Sequence, residues 1–125
     1  MSGATWIAFL AAAGVGAPAR YLLDVAVQDR TSGAFPWGTF AVNVTGCLLL
    51  GLLTGAGLYH GFSASARTAV GTGGCGAYTT FSTFTYETVR LAEEGAFDDA
   101  LRNAAASFVA GLAAAAAGLA LMAVA

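Results

Sequence analysis

Lysine is absent from this 125-residue chain, and its five arginines are outnumbered by seven acids, for a net charge of −2. Nucleic-acid binding needs a basic footprint to neutralise phosphates, so that class is excluded. Charge of either sign is scarce at 10%, where a soluble domain carries about 25%. The polar skin that water requires is missing. Cysteine is rare too: Cys47 and Cys75 lie in apolar stretches with no CxxC pair, and read as buried small hydrophobes. The one histidine, His60, sits beside Gly61 and reads as a loop residue. No nucleophile–base pair or metal motif points to an enzyme. The glycines follow no three-residue period, which excludes collagen.

What is present is apolar and small. Apolar residues make up 58% of the chain, mean hydropathy is +0.72, and alanine with the 17 glycines exceeds a third of the residues. Such a surplus suits closely packed membrane helices. Four apolar segments, at about 4–23, 38–59, 64–89 and 100–125, are each long enough to cross the hydrocarbon core, about 30 Å at 1.5 Å rise per residue. Short polar connections around Asp24–Trp37, His60–Ser63 and Arg90–Asp99 make successive helices antiparallel. No Lys or Arg precedes the first apolar run, so it is expected to be a retained helix and not a cleaved signal. The expected class is an all-α integral membrane protein with four transmembrane helices.

The third segment departs from this pattern. Gly71, Gly73, Gly74 and Gly76 fall within six residues, and each costs about 1 kcal/mol against alanine in a helix. They predict a helix broken near the bilayer midplane. Carbonyls freed at such a break suit a hard cation; close helix crossing is the alternative use of the glycines. Six hydroxyls follow between Thr79 and Thr88, with Phe81 and Phe84 three apart on one face. The hydroxyls either bond back to the preceding turn or line a polar path. The rings either contact lipid or present their positive edges to a small anion. Asn43, in Gly38-Thr-Phe-Ala-Val-Asn43, is an interhelical clamp or a pore donor. Gly51 and Gly55 read as helix packing. Arg20 either snorkels or attracts anions into a vestibule, and Glu87 is an interfacial anchor or a polar group at a pathway mouth. Ser107 is the one hydroxyl of the fourth segment.

Taken together, these residues resemble the Fluc/CrcB family of fluoride channels. The likeness rests on Gly38-Thr-Phe-Ala-Val-Asn43 with Gly46, on Gly73-Gly-Cys-Gly-Ala-Tyr-Thr-Thr-Phe-Ser-Thr-Phe84, and on the pair Arg20-Tyr21 closing the first helix. It covers essentially the whole chain. The resemblance implies an antiparallel, dual-topology dimer in the cell membrane that exports fluoride passively from the cytoplasm. It implies pore residues Asn43, Phe81, Phe84, Thr83 and Ser107, with Arg20 in the vestibule and Glu87 following the motif. It also implies a structural, untransported sodium ion on the two-fold axis, held by the backbone carbonyls of Gly76 and Thr79. One departure is that Ala77 and Tyr78 follow Gly76, where the family commonly has a second glycine. If position 77 needs a positive φ, alanine is strained there by about 1–2 kcal/mol. Fluoride is strongly hydrated, so a pore must replace its water with donors, and amide, hydroxyls and ring edges are such donors.

Arginine placement bears on topology. Arg20, Arg30, Arg90 and Arg102 flank the first and third connections, and Arg67 alone flanks the second. The bias leaves two assemblies open: a homodimer of opposed subunits, or one half of a heterodimer whose partner has the reverse bias. The competing function is a small multidrug-type proton-coupled exporter. That chemistry needs a membrane-buried acid, and the first segment has none before Asp24. A non-transporting assembly subunit leaves the hydroxyl string without a role.

Overall fold

A computed structural model describes all residues from Met1 to Ala125, and it is helical throughout. Helix α1 spans Gly3–Gln28, α2 Trp37–Tyr59, α4 Ser82–Glu93 and α5 Phe97–Val124. Between α2 and α4, α3 covers residues 64–78 as three joined pieces: α-helical Ala64–Arg67, π-helical Thr68–Cys75 and α-helical Gly76–Tyr78. Helices α1, α2 and α5 are each long and apolar enough to cross a membrane.

The helix ends follow local chemistry. Ser2 accepts from the Thr5 amide at the start of α1, and Ser63 accepts from the Ala66 amide at the start of α3. Asp98 and Asp99 occupy the first turn of α5, where acids complement the exposed amides. That is why α5 begins ahead of its apolar run. In the same way α1 continues past Asp24 to Gln28, whose side chain then accepts from the Gly38 amide at the start of α2. His60 caps the end of α2, Gly61 turns with φ +66°, and the His60 ring bonds the Met122 carbonyl at 2.8 Å. This ties the end of α2 to the end of α5.

Two glycine seams hold the bundle. On the α2–α5 seam, a Cβ on Gly51 would strike the backbone of Ala115, one on Gly55 would meet Met122, and one on Gly118 would meet the Leu48 carbonyl at 2.5 Å. Gly51 and Gly55 therefore serve packing, as their spacing predicts. On the α1–α3 seam, Gly16 faces the Gly74 carbonyl, Gly73 faces the Phe9 backbone and Gly74 faces Ala12. The glycine run of the third segment is thus a contact surface against α1. These glycines are not unwound, contrary to the break expected among them. They are wound as a π-helix, whose wider turn is stabilised by the close partner helix. The helical path is interrupted just beyond them, at residues 79–81, with Thr79 extended at φ −78°, ψ 160°. The strain expected at Ala77 does not arise, because no residue other than glycine has positive φ.

A polar track across the interrupted third segment

The interruption is fastened by one side chain. Asn43, on the second turn of α2, donates its amide to the Thr80 carbonyl at 2.8 Å and accepts from the Thr80 amide at 2.8 Å. The reciprocal pair fixes which end of the side-chain amide points where. It also satisfies both backbone groups of a residue that has no helical partners, which is the condition for irregular backbone at depth. One N–H of Asn43 stays free after this pairing. Asn43 is an interhelical clamp in this structure, and its remaining N–H leaves it a donor as well.

The hydroxyl string divides at the same place. Thr79, Thr85 and Thr88 bond back to carbonyls four residues earlier, at Cys75, Phe81 and Phe84. Thr80 instead accepts from the Thr83 amide at 3.2 Å and donates to the Thr83 hydroxyl at 3.1 Å. In effect Thr80 caps the start of α4. Half of the hydroxyls serve their own helix, and the others organise the interruption.

Around this point lie two cavities. The first, about 310 Å³, brings together Asn43, Thr80, Phe81, Phe84, Ser107 and Leu50. Its ring centroids, Phe81 and Phe84, are 6.2 Å apart and inclined at 45°. No acid lines it. Phe81 is 78% exposed, so one wall of this groove is missing within a single subunit. The second cavity, about 130 Å³, is lined by Arg20, Tyr21, Asp24, Thr39, Thr80 and Thr83. Thr83 lines this second cavity beside Arg20, whereas Phe81 and Phe84 line the first. Thr80 lines both cavities. Arg20 forms no hydrogen bond or ion pair within the subunit, and Asp24 lies in the same cavity without pairing to it. Glu87 accepts from the Thr39 hydroxyl at 3.1 Å through Oε1, while its Oε2 is buried without a partner.

Asn103 is the residue that the sequence reading missed. It is fully buried, donates to the Thr88 hydroxyl at 2.8 Å and accepts from Ser107 at 3.3 Å. Thr88 in turn bonds the Phe84 carbonyl, so a chain of four residues runs from Ser107 to the backbone under a groove ring. The Ser107 bond is long, so an acceptor in the groove can compete for its hydroxyl proton. The available signal was an amide four residues before the lone serine of α5.

No three His, Cys, Asp or Glu side chains gather to hold a metal. Backbone oxygens are a different matter. The carbonyls of Gly76 and Thr79, at the end of α3, accept no hydrogen bond within the chain. They are oxygen ligands of the kind that hard cations take.

Fold and site define a multi-pass membrane protein in which polar side chains line two neighbouring cavities beside the interruption. A family profile described as CrcB-like protein, Camphor Resistance (CrcB) matches residues 7–119. The chain is 57% identical over 114 residues to the fluoride-specific ion channel FluC 1 of Streptomyces avermitilis, spanning 91% of this chain and 92% of that relative. It is 54% identical over 121 residues to FluC 1 of Frankia casuarinae, spanning 93% and 94%. It is 45% identical over 108 residues to FluC of Acidobacterium capsulatum, spanning 86% and 85%. The chain belongs to the CrcB (FluC) family, a family of channels and not of enzymes.

Proposed function

We propose that this chain is the subunit of a fluoride channel that lets fluoride leave the cytoplasm passively. The observation that carries this reading is the acid-free groove in which Asn43, Phe81, Phe84 and Ser107 meet, in a chain whose relatives are named fluoride-specific ion channels. An ion as strongly hydrated as fluoride crosses only where donors replace its water. Asn43 has a spare N–H, Ser107 a weakly held hydroxyl, and the two rings have electropositive edges. Arg20, unpaired in the adjoining cavity with Thr83, raises the local anion concentration at one mouth. Glu87, held by Thr39, stands back from the groove itself.

In this reading the functional unit is a dimer of antiparallel subunits, each completing the wall that the other lacks at Phe81. The unpaired Gly76 and Thr79 carbonyls would hold a structural sodium ion where two such subunits meet, and that cation would make the potential beside it favourable to anions. The arginine bias supports a second assembly, in which the partner is a related subunit of opposite orientation.

Growth tests the function. Fluoride-sensitive bacteria lacking their own exporter should grow in fluoride when this chain is produced; no rescue by a chain that reaches the membrane, either alone or with a related subunit of opposite orientation, would count against it. Reporters fused to the carboxyl terminus separate the two assemblies. Signal from both compartments is expected of the homodimer, and signal from one compartment only would leave the heterodimer.

A further inference from the structure

At the end of the bundle opposite Arg20, a third cavity of about 320 Å³ is lined by Arg67, Thr54, Thr68, Thr72, Gly71 and Leu50. Leu50 also lines the phenylalanine groove. Asn43, Cys47, Leu50 and Thr54 follow one another at helical spacing, so the groove and this cavity lie along one stripe of α2.

Arg67 is seated there by design of the backbone. A Cβ on Gly57 would lie 2.5 Å from its Nε and 2.6 Å from its Cδ and Cζ, so the guanidinium rests in a slot that only glycine leaves open. Yet nothing in the chain uses its donors. The Arg67 side chain has no hydrogen bond or ion pair, and its buried Nε is unsatisfied. An unpaired buried donor is costly, and a bound acceptor would remove that cost. The threonines add free donors at the exposed rim of the same cavity. Thr45, Thr68, Thr79, Thr85 and Thr88 bond back to their own helix, but Thr54 and Thr72 make no hydrogen bond. Both free hydroxyls line this cavity. All seven acids lie elsewhere, between Asp24 and Asp29 or between Glu87 and Asp99, so no carboxylate competes.

We propose that Arg67, with the free hydroxyls of Thr54 and Thr72, binds a small, strongly hydrated inorganic anion, and that this site is the second mouth of the track that starts at Arg20. The anion's identity as fluoride rests on the function proposed above; the existence of the site does not. A phospholipid headgroup offers the same acceptor chemistry, so the test has an arm for each source.

Phenylglyoxal modification of the purified wild-type chain in lipid-free detergent, read at each arginine by peptide mass spectrometry, tests the site directly. Sodium fluoride, against sodium gluconate at equal ionic strength, should slow modification of Arg67 about threefold at twice the dissociation constant. Arg30 and exposed Arg90 should be unaffected, and Thr54→Val with Thr72→Val should remove most of the protection. An unchanged Arg67 rate would overturn the proposal, and so would protection by phosphatidylglycerol but not by fluoride. In proteoliposomes Arg67→Gln should cut fluoride efflux more at low than at high fluoride, and Arg67→Lys should restore most of it. Equal efflux by Arg67→Gln at every concentration would remove the site from the path. A wild-type chain that moves no fluoride would sink the channel reading alone, since the protection experiment still decides the site.

Discussion

Fluoride efflux from proteoliposomes is expected to fall about a hundredfold or more, equivalent to roughly 3 kcal/mol of lost stabilisation for the passing ion, when Phe81 or Phe84 becomes isoleucine. The two rings stand 6.2 Å apart at 45° on the wall of an acid-free groove. Isoleucine keeps bulk and apolarity but has no quadrupole, so it cannot offer the electropositive edge that an anion requires. The fold should tolerate the change. Phe81 is 78% exposed in the subunit, so its replacement leaves no cavity there. Cross-linking and size-exclusion chromatography should find the assembly intact. Normal efflux by either variant would take that ring out of the pathway.

The second large effect is expected at Asn43→Asp, and it has two parts. Aspartate accepts but does not donate when ionised, so the 2.8 Å bond to the Thr80 carbonyl becomes an oxygen–oxygen repulsion. Leaving a buried carbonyl unsatisfied costs about 1–3 kcal/mol, so the melting temperature should drop. The same change puts a negative charge beside the groove and removes the spare donor, so efflux should be lost as well. The two readouts separate the roles. An unchanged melting temperature would contradict the clamp, and unchanged efflux would remove Asn43 from the path.

Composition alone made the membrane class legible, because a chain with 10% charged residues has too little polar surface for water. The glycine run was harder. Gly71, Gly73 and Gly74 signal either an unwound turn or a close helix contact, and sequence does not say which helix comes near. Once α1 lies against them, the backbone keeps its hydrogen bonds in a π-helix, and the interruption moves to residues 79–81. There Thr80 finds its partner off the ladder, in Asn43, 37 residues earlier in the chain. Long-range pairing of this kind has no local signature.

The same limit explains Asn103. Its value lies in joining Ser107 to Thr88 across the α4–α5 contact, and periodicity along one helix carries no trace of that. The resemblance places Thr83 on the same track as Phe81 and Phe84, which flank it in sequence. A helix face turns about 100° per residue, which carries Thr83 to the Arg20 side. Arg67 was visible only as a charge counted toward topology. Its slot against Gly57 and its lack of any partner emerge from the packing of α2 and α3.

Vesicles holding only this purified chain, loaded with potassium fluoride and opened to potassium flow by an ionophore, give the most direct measurement. A fluoride electrode outside should record rapid release driven by voltage alone, with no proton gradient, while vesicles loaded with chloride release almost none. A folded, vesicle-inserted chain that passes no fluoride, or that passes chloride as readily, would contradict a donor-lined track built by Asn43, Phe81 and Phe84.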